Sequence, residues 1–354
     1  MTLPLPKVLA TATELPPHTK STDEILSDME RHLAGQDERF RQKVLRIFRY
    51  SQVERRYSIL PAKKVLGRLS FEERNDLYCD AMRDLGESVL RKALERANLP
   101  ASSLDFIISV SCTGFMIPSV DAHLINRLGM RRDIVRLPVT EMGCAAGVSG
   151  LIYANSFLRA HPGTTAAIVA LESPMSTFQV GDFSMANMVS AAIFGDGAAC
   201  AILGFDEEKL APALVDTDMY HFYDEIDLMG FRLRNSGLEM ILDPDVPVRI
   251  GEEFERIVQP FLERNGLGIA DVDHLIFHPG GKKIIQMVES LFAEWGKDLT
   301  ETLSVLRDFG NLSSATVLYV LDRFLEKEIA PGDHGLMLSF GPGFSAQSAL
   351  LRWQ

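Results

Sequence analysis

Short apolar runs alternate along the chain with longer stretches in which apolar side chains recur every three or four positions. FIISV after Asp105, IVRLPV over Ile134–Val139, Thr165–Glu172 and AACAIL over Ala198–Leu203 have strand length and polar or glycine borders, which predicts buried strands. HLIF over His274–Phe277, Gly335–Phe340 and AQSALL over Ala346–Leu351 read the same way. Between them, AAGVSGLIYANSFL over Ala145–Leu158 and IIQMVESLF over Ile284–Phe292 carry the helical period. Strands alternating with helices predict an α/β protein with a mostly parallel sheet and helical cover.

The pattern occurs twice. Leu94–Asp105 (LERANLPASSLD) and Leu262–Asp273 (LERNGLGIADVD) share L-E-R, a later Leu and a final Asp, and each precedes a predicted strand. Gly143–Leu158 aligns with Gly310–Leu325, small residue on small residue, Leu151 on Leu318 and Phe157-Leu158 on Phe324-Leu325. FGDG at Phe194–Gly197 answers FGPG at Phe340–Gly343. Matched elements in one order argue for an internal duplication. Each copy reads strand, helix, strand, helix, strand, strand, with an insertion near 174–193 in the first. Residues 1–80, charged and helix-rich, and 205–250, with a hairpin-like DMYHFYDEIDLMGFRLRNSG, fall outside the repeat. The division expected is residues 1–220 and 221–354, packed about a pseudo-twofold axis.

Composition narrows the function. With 354 residues and 46% hydrophobic content the chain can bury a large core. A net charge of −12 without a basic run argues against nucleic acid. No signal-peptide pattern and no run of about 18 apolar residues is present, so a cytoplasmic protein without a membrane span is expected. Cys79, Cys112, Cys144 and Cys200 form no CxxC pair and no Cys/His cluster, so no metal is expected and a free reactive thiol is.

Chemistry is expected where the copies diverge. Cys144 aligns with Asn311, and His278 aligns with Val110. Cys144 opens a helix after a strand and a turn, where free N–H groups and the helix dipole lower a thiol pKa. Its small neighbours Gly143, Ala145, Ala146 and Gly147 admit substrate and backbone. His278 ends a strand before a glycine turn and suits a general base or ion-pair partner. Asn311 reads equally as a helix N-cap and as an amide donor to an oxyanion. Equivalent helix starts meeting near the axis would put Cys144 and Asn311 in one pocket, with His278 beside them. Glycine turns such as Gly341-Pro342-Gly343 can line a pocket with backbone. Glu141, Glu172 and Asp196 form no convincing acid/base pair.

GCAAG at Cys144, FGDGAA at 194–199, HPGG at 278–281, GNLSSAT at 310–316 and SFGPGFSAQSALLRW at 339–353 together resemble the thiolase superfamily. Within it they resemble the type III polyketide synthases, the chalcone synthase-like enzymes. The resemblance spans nearly the whole chain. It implies a thiolase-like, internally duplicated α-β-α-β-α layered fold, a homodimer, and CoA thioesters as substrates without a cofactor or metal. Cys144 would take an acyl group from acyl-CoA and pair as thiolate with His278. His278 and Asn311 would polarise malonyl-CoA for decarboxylation, and rounds of condensation would precede ring closure. Phe194 matches a gatekeeper position and Met240 stands where the family has a second phenylalanine. Cys112, Thr177 and Ile117 fall near cavity-lining positions, Ile117 near a partner's cavity. Ser313 and Glu172 are placed to steer cyclisation. Lys43 and Arg46 match positions that bind CoA phosphates, and Tyr50 stands at a third, usually basic one. SCTGFMIPS and Met240 resemble enzymes that accept long fatty acyl starters and release alkylpyrones or alkylresorcinols. A ketoacyl synthase III-like single condensation and an acyl-CoA hydrolase are the competing readings. A cysteine peptidase finds no support in the duplicated frame.

Overall fold

The computed structural model describes residues 4–293 and 296–354. Its first half runs β1 (Lys7–Glu14), β2 (His18–Ser21), α1 (Thr22–His32), α2 (Glu38–Tyr50), β3 (Arg55–Ser58), α3 (Ala62–Val65) and α4 (Phe71–Ala97). It continues with β4 (Phe106–Val110), α5 (Val120–Leu128), β5 (Val135–Val139), α6 (Ala146–Ala160), β6 (Ala166–Glu172), α7 (Met185–Ile193) and β7 (Gly197–Gly204). The second half begins with β8 (Pro212–His221), β9 (Met229–Arg234), β10 (Gly237–Leu242), α8 (Val246–Glu263) and β11 (His274–Phe277). It ends with α9 (Lys282–Phe292), α10 (Thr300–Phe309), α11 (Thr316–Leu325), β12 (His334–Gly341) and β13 (Ser345–Trp353).

Nine strands pair in the order β11-β12-β13-β8-β1-β7-β6-β4-β5. The order is nearly palindromic about β8 and β1, which meet at Lys7 and Ala213. Helices α6 and α11 lie between the two halves of the sheet, in a core holding Ile108 and Ile168 from one half and Ile276 and Met337 from the other. Helices α4 and α5 cover the outer face of the first half, and α8 and α9 that of the second. The five α-β-α-β-α layers are therefore present.

Three expectations need correction. The sheet is mixed, because only β4–β5, β4–β6 and β11–β12 pair in parallel. The FGPG turn folds β13 straight back on β12 as an antiparallel partner, with no crossover helix to enforce parallel pairing. The duplication also reaches segments thought to lie outside it. β1 packs antiparallel on β7 as β8 does on β13. Finally, the second copy lacks the strand matching β5. Its place is taken by α10, which buries Thr302, Val305 and Leu306 and half-buries Phe309, a helical spacing.

The halves touch most tightly where α6 crosses the start of α11. A Cβ on Gly147 would sit 2.4 Å from the Ser314 carbonyl oxygen and 2.6 Å from a Val317 methyl. A Gly147→Ala substitution is expected to cost ~1–3 kcal/mol through forced separation of the helices, measured by urea unfolding. Gly35→Ala, where nothing lies within 4 Å, serves as the near-neutral control. Equal midpoints for the two variants would show that the crossing tolerates a methyl group.

Candidate active site

Cys144 sits on a single 3-10 turn, Gly143–Ala145, that leads into α6. Gly143 has φ +51° and its backbone lies under Pro342, whose Cδ would be 2.5 Å from a Cβ there. Only glycine satisfies both demands. Gly310, the matching residue before Asn311, has φ +77° and abuts the Ile193 carbonyl. The two chemically distinct residues thus ride on equivalent left-handed glycines.

Asn311 is pinned on every side. Its backbone N–H donates to Ile193 O at 2.7 Å and its carbonyl accepts from Gly195 N at 3.0 Å, which places it as a bridge partner of Phe194. Its Oδ1 accepts from Ser313 N at 2.8 Å and Thr316 Oγ1 at 3.2 Å. Asn311 is not the N-cap: the turn and α11 start after Leu312 and Ala315, neither with a side-chain cap bond. Both ends of the amide reach Cys144 Sγ, Oδ1 and Nδ2 each at 3.9 Å. Oδ1 also serves Ser313 and Thr316, and Nδ2 is the end that can donate. Ser313 Oγ lies 3.9 Å from the same sulfur.

His278 follows β11, held by N–H donation to Leu338 O at 3.0 Å and by its carbonyl accepting from Gly280 N at 2.9 Å. The imidazole is buried, and neither ring nitrogen has a hydrogen-bond partner among the described residues. Cys144, Asn311 and His278 line one cavity of about 60 Å³ together with Cys112, Ser313, Phe194, Met240 and Pro342. Met229, Phe231 and Leu242, unnoticed in the sequence, complete its wall. They belong to the β9–β10 hairpin, where Met240 faces Phe231 and Leu242 faces Met229 across the ladder. The signal was their alternation with Arg232 and Arg234, which point outward.

Electrostatics overturn one expectation. The helix start does not win: a backbone N–H at Cys144 pulls its pKa down but is outweighed. Burial pushes the thiol up to about 12, with Ser313 and Asn311 opposing and the Glu172 charge adding to the rise. The accessible part of Cys144 opens on the cavity, and no cation faces it, so desolvation outweighs the dipole. Burial likewise drives His278 down to about 3. Each group alone is neutral. Beneath them, the buried Glu172 accepts from Ser314 Oγ at 2.6 Å, Thr113 Oγ1 at 2.8 Å and Cys112 N at 3.1 Å. Ser313 Oγ approaches Cys112 Sγ at 3.5 Å.

The remaining candidates separate. Thr177 donates to Pro174 O and lines a neighbouring void of about 10 Å³, sharing Phe194 and Met240 with the first. Ile117 does not line the cavity of its own chain. It sits in the loop between β4 and α5 and is 97% exposed. Gly341 packs beneath the Cys144 turn, 2.5 Å from Met142 O at a Cβ position. Gly343 turns outward at φ +76°, so of the three turn residues Pro342 is the one on the wall. Lys43 and Arg46 are exposed on α2, whose Val44, Leu45 and Phe48 are buried, and they line neither cavity. Lys282, at the start of α9, stands 5.9 Å over the Tyr50 ring and brings a cation to the α2 end where Tyr50 replaces one.

Residues 5–207 match the N-terminal domain of chalcone and stilbene synthases, and residues 222–353 match their C-terminal domain. The chain belongs to the chalcone and stilbene synthase family. It is therefore an acyltransferase of the type III polyketide synthase class. A 1,3,6,8-tetrahydroxynaphthalene synthase from Streptomyces peucetius subsp. caesius is 33% identical over 98% of this chain and 93% of that protein. A phloroglucinol synthase from Pseudomonas fluorescens is 31% identical over 87% and 88%. The crystal structure of 1,3,6,8-tetrahydroxynaphthalene synthase from Streptomyces coelicolor superposes with a TM-score of 0.92 at 29% identity, covering 98% of this chain and 99% of the other. PKS-I from the brown alga Ectocarpus siliculosus gives 0.91 at 26% identity, with both chains covered fully.

The His278 shift has a consequence for acid stability. Unfolded, the imidazole takes up a proton near pH 6.5, whereas folded it does so near 3. The stability from keeping it neutral is complete above about pH 6.5 and drains as pH falls toward 3, by ~3 kcal/mol at pH 4. Urea unfolding of His278→Gln is expected to lose less stability than wild type between pH 6.5 and 4. Parallel losses would show that the folded imidazole takes up its proton as readily as the unfolded one.

Proposed function

We propose that this family member loads an acyl-CoA starter on Cys144 and extends it with malonyl-CoA by decarboxylative condensation, iteratively, before ring closure to a pyrone or resorcinol-type product. The supporting observation is the convergence of Cys144, Asn311 Nδ2 and an unpartnered His278 on one cavity.

The chemistry follows from the environment. Neither thiolate nor imidazolium is stable alone, so proton transfer from Cys144 to His278 makes both charges together, each compensating the other's burial. The thiolate attacks the starter thioester and CoA thiolate leaves. Malonyl-CoA then loses CO2, and the electron pair of the broken C–C bond becomes an enolate. Charge develops on the thioester oxygen, where Asn311 Nδ2 and a His278 N–H donate. The enolate carbon attacks the acyl carbonyl on Cys144 and expels the thiolate. Phe194, Met240 and the hairpin side chains keep water from the enolate. This reading needs no resident cofactor or metal. Lys43 and Arg46, which have no acidic partner among the described residues, would meet CoA phosphates. In a homodimer, the exposed Ile117 would reach the partner.

A fatty acyl starter would have to displace Met240 and Phe194, which with Pro174 separate the Cys144 cavity from a void of only about 10 Å³. That void shares Met175, Phe178 and Ala191 with a third cavity, of about 70 Å³.

Mass spectrometry of products from malonyl-CoA and acyl-CoAs of graded length is expected to show pyrones or resorcinols with wild type and none with Cys144→Ala. A linear single-extension product would move the reading to a ketoacyl synthase III-like reaction, and free acid without malonyl dependence to a hydrolase. A second measurement probes the proton transfer. His278→Ala should shift the pH profile of Cys144 alkylation by iodoacetamide upward, and an unmoved profile would exclude the pair.

A further inference from the structure

The third cavity holds a charge that the reaction does not use. It lies beneath α1 and α2, against the β2–β3 hairpin, and its wall is almost wholly apolar: Met29, Phe48, Leu60, Val65 and Phe178 are buried there. Arg56, on β3, is 3% exposed and lines the same space. Its Nη2 donates to Ala192 O at 2.6 Å, while Nε and Nη1 have no hydrogen-bond partner. Its guanidinium carbon stands 5.3 Å over the Phe48 ring. No carboxylate pairs with it among the described residues.

A buried guanidinium with most of its donors idle costs several kcal/mol unless an anion meets it. Burial lowers the Arg56 pKa to about 9, so it keeps its charge at neutral pH. The other charges at this cavity are already committed. Asp28 accepts from Lys20 and from Arg31, which leaves the planar fork of Arg56 as the idle donor. The idle Nε–H and Nη1–H groups can each donate to a carboxylate oxygen. The apolar wall matches a hydrocarbon chain.

We propose that this cavity binds an aliphatic carboxylate, with its head on Arg56 and its chain among Met29, Leu60, Val65 and Phe178. Two sources share that chemistry. One is a free fatty acid entering beside His18 and Lys20. The other is the far carboxylate of an acyl chain anchored on Cys144 and threaded past Phe178 and Ala191. This second source rests on the acyl-transfer reading above, and the first does not.

Calorimetry with octanoate, octanol and octylamine separates the cases. Wild type is expected to bind octanoate at least ~10-fold more tightly than octanol, the contribution of a charge-assisted pair, and octylamine least. Arg56→Met should remove the preference for octanoate. Because the wild-type comparison stands alone, misfolding of that variant would leave the test intact. Equal binding of octanoate and octanol, or no binding of either, overturns the proposal whatever the condensation assay shows. The source follows from product assays with the mono-CoA thioester of dodecanedioic acid and with dodecanoyl-CoA. A threaded acyl chain predicts that the kcat/KM ratio of the first to the second falls about tenfold in Arg56→Met, as for any lost charged contact. An unchanged ratio with octanoate binding retained assigns the site to the free acid.

Discussion

The close crossing of α6 over α11 is the constraint on which the rest of the site depends. Gly147 lets the start of α11 approach until a carbonyl oxygen occupies the space of a missing methyl group. That contact brings side chains of two helix starts from distant parts of the chain to within 4 Å of each other, while the glycines before Cys144 and Asn311 pack on Pro342 and on the Ile193 carbonyl. A looser crossing would leave the sulfur and the amide facing solvent separately. Catalytic geometry here is a by-product of core packing at native density.

The same packing sets the electrostatics. The walls around Cys144 and His278 come from both halves and from the hairpin, and among the described residues the charge that bears on Cys144 is Glu172, itself held by Ser111, Cys112, Thr113 and Ser314. Such an enclosure disfavours an isolated charge and leaves a paired one tolerable. Asn311 is fixed through Oδ1, which accepts from Ser313 N and Thr316 Oγ1, and this holds its amide 3.9 Å from the sulfur.

Cys144, His278 and Asn311 were legible because a duplication supplies an internal alignment, and divergence at matched positions stands out against it. The layers were legible from alternating periods. The roles of β1 and β8 were not. Antiparallel strands at the centre of the sheet carry no neighbouring helix signal, and KVLATATE reads as an unremarkable N-terminal segment. α10 was misread because symmetry was carried through a region where the copies differ. The Cys144 pKa was misjudged because local sequence shows the helix dipole but not the walls contributed by Phe194, Ile284 and Pro342. Met229, Phe231 and Leu242 were hidden by the arginines between them, which make the hairpin look like surface.

The near-palindromic sheet bears on how such a site can arise. Two identical copies of one half, related by a true twofold, would present the same residue at both helix starts: two cysteines or two asparagines. A nucleophile facing a distinct amide cannot exist on that axis. Joining both copies in one polypeptide breaks the symmetry, and each helix start is then free to mutate without its twin. The asymmetry of the pocket is thus a property that only the fused chain can encode.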